Sequence, residues 1–220
     1  MIRNPLVLFR IPEVNKHGVN FYITGKSLGG NSMKTDITYF EKPGKENTDA
    51  VMEIVEQKAD EKGIKTVIVA SYHGFTAEKA VRYLEGMNVI VIAGFLEATS
   101  ENLSLTFSQG DEKLIREKAT VLVTTHLFAG VTRAVRRKFE TTSPSEIIAQ
   151  TLRLMGVGVK VGVECTVMAA DSGLVNTDED VIAIAGTYAG ADTAIILRPV
   201  YSQNLFDIKI KEILCKPNDW

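Results

Sequence analysis

The chain has 220 residues, long enough to bury a sizeable core, and with 45% apolar and 24% charged residues it has the make-up of an ordinary folded protein. Lys plus Arg (25) nearly cancels Asp plus Glu (27), and aromatic and basic residues are not interleaved on any segment, which argues against nucleic acid as a partner. No run approaches the roughly 20 apolar residues of a membrane span, and the opening stretch is too briefly apolar for a signal peptide, so the expected setting is cytoplasmic with no membrane partner.

Residues 1–35 are rich in Gly, Asn and Lys, carry weak helix and strand signals, and are expected to form an extension. Within them, 24–30 invites a P-loop assignment that fails, because the motif needs glycine five residues before Gly25 and Asn20 stands there. A loop is expected instead, with Lys26 able to swing onto an anion. Alternation over 33–41 predicts a strand ending at Pro43-Gly44. A helix follows, capped by Asn47 or Thr48, with Ala50, Ile54, Val55 and Ala59 as its apolar stripe up to Gly63.

Strand and helix signals then alternate: strand 65–70, helix 76–85, strand 88–93, helix 111–118, strand 120–124, and helices 129–139 and 144–155. Ser143 or Thr142 caps the last of these, with Pro144 at its first position. The three strands are short, β-branched and nearly all apolar, as parallel strands buried on both faces are. The segments 159–170, 181–186, 193–200 and 206–215 all read as strands. The loops joining the last three are too short for parallel crossovers, so antiparallel pairing is expected there. The predicted fold is α/β: one domain over 1–220, in three layers, with helices on both sides of a mostly parallel, mixed sheet.

The most informative stretch is the turn from strand 65–70 into the next helix, formed by Ser71, Tyr72, His73, Gly74, Phe75 and Thr76. The first N–H groups of a helix are free of intrahelical partners and lie at the positive end of its dipole, so such a turn suits a phosphate. An ordinary connection in which Thr76 caps the helix is the alternative. His73 is either a phosphate donor, an acid/base group or an exposed loop residue.

Thr124, Thr125 and His126 follow another apolar strand and are expected on the same edge, reaching a ligand or capping the next helix. Gly186 and Thr187 open a Gly-rich connection, with Asp192 at its far end, that either admits a ligand to the backbone or merely joins two strands. Phe95 is a stacking residue or a core residue. Glu164, in an apolar segment, is a paired core group or a site residue. The basic run Arg133, Arg136, Arg137 and Lys138 is expected to be a solvated helix face. Cys165 and Cys215 have no metal-ligand or redox spacing and are expected to be buried thiols; no metal site is expected.

Three passages carry a resemblance. The helix opening at Asn47-Thr48-Asp49-Ala50 leads into an apolar strand, a Ser/Thr/Gly turn, a helix and a further strand, Met87-Asn88-Val89-Ile90-Val91-Ile92-Ala93. Residues 177–186 and 190–197 form a second block. Together they resemble the carboxy-terminal α/β domain of pyruvate kinases, while the middle, about 95–175, departs from it and is expected to be an elaboration. The resemblance implies a mixed sheet between helices and an anion pocket at Ser71 to Thr76, where pyruvate kinases hold the phosphate of an allosteric sugar bisphosphate. It does not imply kinase activity, since 220 residues leave no room for the catalytic barrel.

For a stand-alone domain of this kind the resemblance implies a bound mononucleotide, with flavin mononucleotide (FMN) leading. The expected partner is thus a phosphorylated small molecule, and the expected function is its binding at the carboxyl edge of the sheet. Two alternatives stand beside this. One is a non-catalytic module that senses a sugar phosphate or nucleotide and signals through a homo-oligomer interface. The other is a hydrolase or transferase acting on a phosphorylated metabolite through His73 or His126.

Overall fold

Alternating strand and helix signals become, in the computed structural model, one sheet of seven strands among the described residues, 35–93 and 107–220. In chain order the strands are β1 (Thr38–Phe40), β2 (Thr66–Ala70), β3 (Asn88–Ile92), β4 (Thr120–Leu122), β5 (Val181–Ala185), β6 (Thr193–Arg198) and β7 (Lys209–Pro217). The helices are α1 (Thr48–Lys62), α2 (Phe75–Tyr83), α3 (Glu112–Lys118), α4 (Val131–Phe139), α5 (Pro144–Arg153) and α6 (Val157–Asp171). Residues Asp36–Trp220 form one compact unit.

The strand order is β1-β7-β6-β5-β2-β3-β4. Pairs β1/β7, β5/β2, β2/β3 and β3/β4 are parallel, while β5/β6 and β6/β7 are antiparallel, as their short connections require. Side chains alternate across the sheet. Val67, Val69, Val89, Val91, Ile182 and Ile184 face α1, α2 and α3, whose Val51, Met52, Val55, Ala80 and Ile115 complete that core. Ile68, Ile90, Ile92, Val181, Ala183 and Ile195 face α6, which offers Val159, Val163 and Met168. The mixed, three-layer α/β fold is therefore the one observed, and its two cores explain why the central strands read as unbroken apolar runs.

Three expectations are corrected. Segment 159–170 is not a strand but lies within α6. Its near-continuous apolar run reflects a helix buried almost all round, and periodicity alone cannot separate that from a buried strand; its length is the better guide. Gly158 and Gly162 fall one helical turn apart against the sheet, where a Cβ at 162 would lie 3.0 Å from Ile195 Cδ1 and one at 158 would overlap the Thr193 side chain. The last strand also begins later than expected, because Ser202–Asp207 forms a 3-10 turn ahead of β7. On α1 the buried stripe is Thr48, Val51, Met52, Val55 and Ala59, so it lies one residue round from the one expected.

Gly63, at φ 67°, ends α1 in the left-handed conformation that glycine adopts freely. No helix among the described residues is long and apolar enough to cross a membrane.

Candidate functional site

Register fixes the carboxyl edge of the sheet. Ala70 pairs with Ile92, Ile92 with Leu122, and Val69 with Ile184, so Ser71, Val123 and Gly186 stand at one level just beyond the strand ends. Ser71, Thr124 and Gly186 thus share an edge, as the sequence led us to expect.

The 71–76 turn leaves β2 with the Ser71 amide still in the ladder, bonded to the Ile92 carbonyl at 3.0 Å. Gly74, at φ 93°, is the N-cap of α2 and reverses the chain in a conformation other residues resist. The side-chain cap is not Thr76, which is buried, but Ser71, whose hydroxyl accepts the Ala77 N–H at 3.1 Å. The first backbone bond of α2 runs from Glu78 N–H to the Gly74 carbonyl at 2.8 Å, so the Phe75 and Thr76 amides lie ahead of it at the positive end of the helix. Phe107 and Gly110 roof the turn: a Cβ at 74 would lie 2.6 Å from Phe107 Cβ, and the Gln109 amide reaches the His73 carbonyl at 2.8 Å. Tyr72 and His73 project outward, their rings edge to face at 4.8 Å.

Two further segments converge on this turn. The Lys45 ammonium sits 3.8 Å above the Phe75 ring, and the loop after β5 closes on the Lys45 backbone, where a Cβ at Gly190 would stand 2.5 Å from Lys45 Cα. The Ala191 amide donates to the Thr48 hydroxyl at 3.0 Å. The Asp192 carboxylate, wholly buried, accepts from the amides of Thr187 (3.1 Å) and Gly44 (3.3 Å) and from the Thr193 hydroxyl (2.8 Å). Asp192 is therefore a brace that locks the 186–191 loop to the Gly44 segment ahead of α1. The Thr187 hydroxyl oxygen, by contrast, is buried and has no hydrogen-bond partner among the described residues. A buried hydroxyl left so is costly.

His126 goes elsewhere. After β4 the chain turns onto the α6 face, where His126 Nδ1 lies 3.8 Å from Glu164 Oε2 and the Phe128 amide donates to Glu164 Oε1 at 2.9 Å. Lys160, one turn back on α6, pairs with the same carboxylate; Glu164 is 1% exposed and Lys160 7%. Burial lowers the His126 pKa below its ordinary value, opposed by the Glu164 carboxylate and reinforced by Lys160 and Arg133. Thr125 packs its methyl against Gly130. The turn at 71–76 leads into a helix on the α1 and α3 face, whereas His126 lies beside Glu164 of α6.

Lys45 and Lys160 were missed. Each left a signal: Lys45 is a cation just before a helix start, where the dipole disfavours it, and Lys160 with Glu164 is an i,i+4 pair of opposite charge, which a strand would not use. Phe95, the 24–30 stretch and most of 1–35 lie outside the described residues. Both cysteines are buried, and no group of metal-ligating side chains occurs among the described residues.

The family described as pyruvate kinase, alpha/beta domain, matches residues 49–197, more than half of the chain. Among solved structures, a pyruvate kinase from Cryptosporidium parvum matches at 14% identity over 70% of this chain and 23% of its own, with a TM-score of 0.37. Another structure of Cryptosporidium parvum pyruvate kinase matches at 16% identity over 72% and 23%, TM-score 0.36. A third, in complex with ADP, matches at 14% over 77% and 24%, TM-score 0.35. The chain spans about a quarter of the length of each of these proteins.

Proposed function

From the premise that the chain belongs to the pyruvate kinase α/β-domain family, we propose that it binds a phosphate-bearing mononucleotide at the carboxyl edge of its sheet, FMN being the first candidate. The observation that carries this reading is the Lys45 ammonium held over Phe75, the first residue of α2, with the loop that carries Thr187 closing on the Lys45 backbone at Gly190. A lysine ammonium held at the positive end of a helix is electrostatically opposed until an anion lies between them. A phosphate there would take the Phe75 and Thr76 amides, the Lys45 ammonium and the Thr187 hydroxyl, and so give that buried oxygen its missing partner.

The phosphate end of FMN thus suits the donors present, and Tyr72 stands at the mouth of the turn to flank a flat ring. When bound, a flavin supplies the redox chemistry, and these residues hold and orient it. Buried free thiols at Cys165 and Cys215 fit a reducing compartment, and we place the chain in the cytoplasm.

The test is mass spectrometry of small molecules released when freshly purified protein is denatured. A phosphate-bearing nucleotide at close to one per chain supports the reading. If the protein carries none and binds no added FMN or nucleoside monophosphate, the reading fails.

A further inference from the structure

On the α6 face of the sheet a polar cavity of about 320 Å³ opens between α4, α5 and α6 and the loop holding His126. It lies at the lower end of the size range of ligand pockets, roughly 300–1,000 Å³. Its charges do not cancel. Arg136 pairs with Glu146, and Lys160 with Glu164, but Arg133 and Arg153, on two different helices lining the same cavity, have no acidic partner among the described residues. One oxygen of the Glu146 carboxylate is buried and accepts no hydrogen bond. Thr132 and Gln150 add neutral polar groups to the wall.

A buried Lys–Glu pair is a weak way to stabilise a core, because desolvating two charges offsets most of their attraction. Here that pair does positional work: Glu164 fixes the loop through the Phe128 amide, and Lys160 leans toward the Phe128 ring at 5.5 Å. It frames the back of a cavity whose front carries two uncompensated guanidinium groups, the side chains best shaped to take an oxyanion through paired N–H donors.

We propose that this cavity is a second binding site, for a small hydroxylated dianion: two negative oxyanion charges held by Arg133 and Arg153, and a ligand hydroxyl donated to the free oxygen of Glu146. It is independent of the 71–76 turn, since no residue of that turn lines it. A phosphate monoester and a dicarboxylate share the required chemistry.

The experiment is calorimetric titration of the full chain with glycerol 3-phosphate and, separately, with malate, in wild type and in the double variant Arg133→Gln/Arg153→Gln. Both arginines sit at the protein surface or half-buried, so circular dichroism and thermal unfolding of the double variant should match wild type. Saturable binding of either probe that weakens at least tenfold in the double variant, yet survives in Thr187→Val, supports the site, and the probe that binds identifies the oxyanion. Succinate should bind more weakly than malate, because it brings no hydroxyl to Glu146. No saturable binding of either probe, or binding that the double variant leaves unchanged, overturns the proposal.

Discussion

At the level of single residues, the chain places charge where its sequence context is apolar. Glu164 is the clearest case: its two oxygens are taken by the Phe128 amide and the Lys160 ammonium, inside a helix whose other buried residues are, apart from Lys160 and Thr166, all apolar or glycine. Glu164→Gln should cost about 3–5 kcal/mol in urea unfolding, because it leaves Lys160 buried beside a neutral amide. The double variant Lys160→Met/Glu164→Leu should recover most of that loss, which a simple packing defect would not. The sequence made Glu164 conspicuous but could not say what met it, since its partner becomes a neighbour only once the segment is helical. The Ser71 turn was more legible: strand end, Gly74 and helix start all fell where local chemistry puts them. Which hydroxyl caps the helix was not, because Ser71 reaches the Ala77 amide only through the three-dimensional path of the turn.

Among the secondary-structure elements, local patterning sufficed wherever one face of an element met water. Helices α1, α2, α3 and α5 declared themselves in this way, whereas the central strands, buried on both faces, were legible as short apolar runs bounded by turn residues. The failure was α6, which is buried on nearly every side and so shows no polar stripe. Its glycines are the residue-level reason it can lie so close to the sheet. Gly158→Ala should destabilise by about 1–3 kcal/mol, although alanine is the better helix former by about 1 kcal/mol, because the new methyl overlaps the Thr193 side chain, itself bonded to Asp192. Gly162→Ala should be close to neutral, since its nearest neighbour is the terminal carbon of Ile195 at 3.0 Å, which can turn aside. Thermal unfolding of the two variants checks the contrast. Arg133 and Arg136 show the converse limit: they read as a solvated face of α4, and only the arrival of α5 and α6 makes that face a cavity wall.

For the molecule as a whole, the two cores on either side of the sheet protect both thiols. Burial raises the Cys165 and Cys215 pKa values from the ordinary 9.0 to about 12. Since the folded values are raised, their contribution to stability is complete below pH 9 and is lost as pH climbs from 9 toward 12. At pH 8 neither thiol should react with a thiol-specific chromogenic disulfide until the whole unit unfolds, so that modification and loss of circular dichroism share one urea midpoint. A thiol that reacts well before that midpoint would show local opening of its face. At the carboxyl edge of the sheet, the proposed function rests on an anion held by Lys45, the start of α2 and Thr187. Its most direct test is calorimetric titration of the wild-type chain, Lys45→Met and Thr187→Val with FMN. We predict saturable binding at one per chain in wild type, weakened at least tenfold in each variant, about 1.4 kcal/mol, with Thr187→Val no less stable than wild type when ligand-free. FMN binding that both variants leave unchanged would contradict this placement, and an absence of FMN binding in the wild type would contradict the choice of ligand.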